Sequence, residues 1–77
     1  MSTVRYIVAQ NVDGLRIELA RLPSGETAYI TADDYKRITE EDLDEFSTMG
    51  RKIIAEIAAG AKCAMRIEGG RILFTKK

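Results

Sequence analysis

Residues 33–45 hold seven carboxylates, Asp33, Asp34, Glu40, Glu41, Asp42, Asp44 and Glu45, against two basic side chains, in a chain of formal net charge zero. Carboxylates at this density could ligate a cation, share acid and base roles at a glycosidic bond, or attract a basic partner. Cation ligation needs a ligand-wrapping turn, and these acids do not follow the Asp-x-Asp-x-Asp-Gly calcium loop. Glycoside hydrolysis needs a carboxylate pair in a deep pocket, which is not expected of so small a domain. Part of the cluster is explained by helix capping. Thr31 and Thr39 each stand three residues before an acid, Asp34 and Asp42, as N-cap residues do, and acids in a first helical turn gain roughly 0.3–1 kcal/mol from the helix dipole. Glu40, Glu41, Asp44 and Glu45 go beyond that need. At a spacing of four, Glu40 faces Asp44 and Glu41 faces Glu45, and such like-charge pairs cost a few tenths of a kcal/mol each, roughly. A solvated helix face is the plain account of them. The functional account makes these four the contact residues for a protein partner with a basic surface.

The compensating charge lies at the other end, where residues 62–77 carry five basic side chains and one acid. Arg66, Arg71, Lys76 and Lys77 are the candidates for phosphate contacts by a two-stranded ribbon on DNA or RNA. Lysines at strand ends also discourage edge-to-edge pairing, and the neutral total charge weighs against nucleic acid, whose non-specific binding is dominated by cationic contacts. A homo-oligomer, with the acidic helix of one copy on the basic hairpin of another, follows from the same polarity.

Other chemistry is poorly provided for. The chain has no His, no Trp and a single cysteine, Cys63. Most zinc sites, Ser-His-Asp and Cys-His arrangements and the usual general base at neutral pH are thereby removed. The expectation is a non-enzymatic protein with no catalytic residue, no metal and no cofactor. One cysteine excludes an internal disulfide, which points to a reducing, cytoplasmic setting. Neither a signal peptide nor an apolar run of about 20 residues is visible, so no membrane association is expected.

Seventy-seven residues with 45% apolar side chains make one domain, residues 1–77, with a thin core. Residues 4–10 and 15–22 alternate as strands do, and Asp13-Gly14 between them suits a hairpin turn. Pro23-Ser24-Gly25 is a second turn signal, and residues 26–31 return as a third strand with Tyr29 and Ile30 on opposite faces. A short helical turn after Thr31 precedes the main helix, in which Leu43, Phe46, Gly50, Ile53, Ile54, Ile57 and Ala61 recur every three or four residues, with Gly60 placed to stop it. Gly50 costs about 1 kcal/mol there relative to Ala, which a close helix–sheet approach would explain, with a local kink as the alternative. Residues 62–68 and 71–75 flank Gly69-Gly70 as a last hairpin, and Cys63 reads as a small buried residue. The expected fold is α+β: β-β-β-α-β-β, an antiparallel sheet with one main helix packed on one face.

Residues 17–38, IELARLPSGETAYITADDYKRI, resemble the opening strand-turn-strand-acidic-helix segment of small phage-type DNA-binding domains attached to HNH homing endonucleases. The match rests on Ile17, Leu19, Gly25, Ala28, Ile30, Asp33, Asp34 and Tyr35 and covers about a quarter of the chain. The tryptophan-containing stretch of that family is missing, a long helix intervenes and the HNH residues are absent, so no nuclease activity carries over. The resemblance implies a phage or mobile-element origin. The expected function is a small protein-interaction module, an accessory or inhibitor protein, with nucleic-acid binding by the last hairpin as the alternative.

Overall fold

Asn11 begins a helix where the sequence pattern suggests a hairpin. In the computed structural model its backbone is extended, and its side-chain carbonyl accepts from the Gly14 amide at 2.8 Å, so that it caps helix α1, Val12–Arg21. Leu15, Ile17 and Leu19 satisfy a strand's alternation, yet Leu15 and Leu19 also lie one helical turn apart. Burial separates the two patterns: Leu15 and Leu19 are fully buried, whereas Ile17 is 52% exposed. The helix ends at Leu22, whose backbone is extended, as expected for a residue that precedes a proline. The strand expected over residues 15–22 is therefore a helix, and the segment carrying the family resemblance runs helix, turn, strand, helix.

That change reorders the sheet. The structure describes residues 4–40 and 48–77, without the side chain of Thr48. Strand β1 is Val4–Tyr6, shorter than expected, and strand β2 is Thr27–Thr31. With α1 as the crossover they pair in parallel, Val4 opposite Thr27 and Tyr6 opposite Tyr29. Between α1 and β2, Gly25 takes the left-handed position of the turn, and Glu26 donates to the Pro23 carbonyl at 3.1 Å. Strands β3, Cys63–Glu68, and β4, Arg71–Lys76, form the expected antiparallel hairpin. Gly69 and Gly70 both have positive φ, as a tight two-residue turn of this hand demands. Strand β4 also pairs antiparallel with β2, giving the order β1-β2-β4-β3. The α+β class stands. The expected β-β-β-α-β-β order and fully antiparallel sheet are replaced by β-α-β-α-α-β-β and a mixed sheet.

Helix α2, Ala32–Thr39, opens with the expected capping box between Thr31 and Asp34. Thr39, expected to cap the main helix, is instead the last residue of α2, and its hydroxyl donates to the Tyr35 carbonyl at 2.7 Å. Glu40 follows in a left-handed conformation. Helix α3 is Thr48–Gly60. Of the expected stripe, Ile54, Ile57 and Ala61 are buried, as is Gly50, while Leu43 and Phe46 lie outside the described residues. Gly60 closes the helix, but the left-handed position falls on Lys62, with φ of 61°.

All three helices contribute to one core, in which Leu15, Leu19, Tyr35, Ile54 and Ile57 meet Ala28, Ile30, Ile72 and Phe74 of the central strands. Fully burying a side chain such as Ile54 or Phe74 contributes roughly 1.5–3 kcal/mol. Because the helices share one side of the sheet, its opposite face carries no described element. Among the described residues no helix is long and apolar enough to cross a membrane.

Candidate functional site

Side chains alternate along each strand, so the register that puts Ala28, Ile30, Ile72 and Phe74 in the core sends their neighbours to the uncovered face. One row of that face runs Tyr6, Tyr29, Leu73, Arg66 across β1, β2, β4 and β3. A second row brings Thr31, Arg71 and Glu68 together, and a third pairs Thr27 with Thr75, whose hydroxyls are 3.0 Å apart. Leu73 is buried on this face between its neighbours, outside the core cluster.

Tyr6 and Tyr29 stand side by side. Their ring centroids are 5.3 Å apart with planes inclined at 41°, a separation suited to aromatic contact. The Arg71 guanidinium lies 5.1 Å from the centroid of the Tyr29 ring, over its face, where the ring quadrupole attracts a cation. Arg66 pairs with Glu68 at 2.9 Å, both side chains well exposed, an arrangement worth at most about 1 kcal/mol. The face thus joins two phenol rings, an apolar centre, two guanidinium groups and the Glu68 carboxylate paired with one of them.

The Tyr6 ring is 45% exposed, yet its hydroxyl reaches inward to donate to Oδ2 of Asp34 at 2.7 Å. Asp34 is 1% exposed. The same oxygen accepts from the Thr31 amide at 3.0 Å and the Thr31 hydroxyl at 2.9 Å, while Oδ1 pairs with Arg37 at 3.1 Å. Burial on its own would push this carboxyl up. The Thr31 amide, the Tyr6 hydroxyl, the Thr31 hydroxyl and Arg37 together outweigh it, and the carboxyl titrates below the usual carboxylate range. The Tyr6 phenol is pushed up, first by its hydrogen bond to Asp34 and then by desolvation and the carboxylate's charge.

The four basic candidates divide. Arg66 and Arg71 lie on the open face. Lys76 turns to the helix side, where its ammonium donates to the Leu19 carbonyl at 3.3 Å near the end of α1. Lys77 joins Lys62 through a backbone hydrogen bond of 3.0 Å, and both line an open cleft of about 450 Å³ with Ser24 and Gly60. A groove of about 400 Å³ between α1 and α3 is mostly apolar, with Arg16 and Glu56 among its lining residues. Of the acidic candidates, Glu40 is exposed at the end of α2, and Glu41, Asp44 and Glu45 lie outside the described residues. Cys63 is buried on the core side, its thiol pushed up by desolvation.

Tyr6 and Tyr29 are the residues that sequence reasoning missed. The alternation of residues 26–31 separates Tyr29 from Ile30, but only the parallel register brings Tyr6 beside it, and that register exists because α1 is a helix. Comparison with protein-family models, with curated proteins and with solved structures gives no match for this chain.

Proposed function

We propose that this protein is a non-catalytic module that holds a single-stranded nucleic acid on the open face of its sheet. The observation that carries the proposal is the Tyr6–Tyr29 pair with Arg71 over the Tyr29 ring. Unpaired bases expose π-faces, and each base stacked on an aromatic side chain contributes roughly 1–3 kcal/mol. Neighbouring strands lie about 4.8 Å apart, so the row from Tyr6 through Tyr29 to Leu73 offers room for two consecutive bases. Arg71 and Arg66 then meet the phosphates beside them. A duplex keeps its bases stacked on one another and presents them edge-on in its grooves, where they offer no face to the two rings.

The three tyrosines are the only large fluorophores in a chain without tryptophan, so stacking is directly visible. Titration with a single-stranded oligonucleotide at low salt should quench tyrosine emission, and a duplex of the same sequence should quench it far less. Equal responses to both, or none to either, would count against the proposal. Contact between Glu40, Glu41, Asp44 and Glu45 and a basic protein is a separate proposal, whose one described residue, Glu40, is exposed.

A further inference from the structure

We infer that Asp34, which is too deeply buried to touch a ligand, is a positioning residue that fixes the Tyr6 ring for stacking through the Tyr6 hydroxyl; the inference rests on the open-face site proposed above. Strand β1 has three residues, pairs only with β2 and forms an edge of the sheet. Short edge segments are the parts of a fold that open most readily. The half-exposed ring of Tyr6 is not held by enclosure. What holds it is a 2.7 Å hydrogen bond to a carboxylate 28 residues away in sequence.

That carboxylate is itself immobilised from several sides. The Thr31 amide and hydroxyl fix Oδ2, and Arg37 fixes Oδ1. Arg37 also donates to the carbonyl of Ala9 at 3.4 Å, so the first turns of α2 hold both the end of Tyr6 and the chain that follows β1. Capping alone does not account for this arrangement. An acid at the third position of a helix completes its box with the Thr31 amide and hydroxyl, and a phenol from a distant edge strand adds nothing to that. The hydroxyl tie restricts the ring to one orientation beside Tyr29 before any ligand arrives, and the cost of ordering it is met during folding rather than during binding.

Tyr6→Phe keeps the ring and removes only the tie, leaving Asp34 its Thr31 and Arg37 partners. The affinity of Tyr6→Phe for a single-stranded oligouridylate should fall about fivefold under conditions where the variant, although less stable by the lost hydrogen bond, remains fully folded by its urea midpoint. Wild-type affinity in Tyr6→Phe overturns the inference and leaves the open-face site standing. A loss of affinity accounted for by the unfolded fraction of the variant makes the tie merely structural, which also overturns it. A wild-type protein that binds no single strand overturns both.

Discussion

The Arg71 guanidinium lies over the face of the Tyr29 ring, 5.1 Å from its centroid. One side chain thus covers the ring on which a base would stack and supplies the charge that would meet its phosphate. A base arriving at Tyr29 must either displace the guanidinium or be sandwiched beneath it, and both outcomes keep the positive charge within reach of the backbone. Replacing Arg71 by Ala should reduce the slope of log affinity against log salt by about 0.7, the value for one phosphate contact on a single strand. Arg71→Lys should keep the slope and still weaken binding several-fold, because an ammonium lacks the planar stacking surface. Anisotropy titrations at three or more salt concentrations separate the two effects. Identical slopes for the wild type and Arg71→Ala would remove Arg71 from the site.

Asp34 ties stability to pH with a definite sign. Its carboxyl titrates below the ordinary range in the folded state, so it stabilises the fold fully above the unfolded value of about 3.9 and loses that contribution as pH falls through the folded value. Asp34→Asn should therefore lower stability at neutral pH by about 1–3 kcal/mol and flatten the decline of the urea midpoint below about pH 4. At the alkaline end Tyr6, whose phenol is pushed up, stabilises the fold below about pH 10 and loses that contribution as pH rises through its folded value. An acid limb of unchanged steepness in Asp34→Asn would show that other carboxylates control it.

Lys62 sits where a glycine would be favoured. With φ of 61° immediately before β3, it adopts a backbone conformation that costs an ordinary L-residue roughly 1 kcal/mol or more. Lys62→Gly should raise thermal stability by up to about 1 kcal/mol, since relief of that strain exceeds glycine's added freedom in the unfolded chain. Calorimetry that finds Lys62→Gly less stable than the wild type would mean that the lysine side chain contributes more than its backbone strain costs.

The sequence made some elements readable and hid others for physical reasons. Gly69-Gly70, Gly25 and the Thr31–Asp34 box are local devices, set by backbone sterics and short-range hydrogen bonds, and they stand where their residue types place them. Residues 15–22 are ambiguous because Leu15, Ile17 and Leu19 satisfy period two while Leu15, Leu19 and Leu22 satisfy the helical period. Asn11, whose side chain caps Gly14, was the signal that decides between them, hidden beside an Asp-Gly pair that suits a turn equally well. From that one helix follow the parallel pairing of β1 with β2, the open face and the meeting of Tyr6 with Tyr29. Arg66 and Arg71 were legible as a pair because a two-residue hairpin fixes its own register. Their aromatic neighbours come from strands whose pairing is non-local, and no short-range pattern reveals them.

Chemical-shift mapping of the folded protein with a short single-stranded oligouridylate tests the central claim most directly. The open-face account predicts shifts concentrated on Tyr6, Tyr29, Leu73 and Arg71 and on the strands that carry them, with the tyrosine ring protons moving upfield under a stacked base. Shifts confined to Lys62, Lys76 and Lys77, or an unchanged spectrum at low salt, would contradict it.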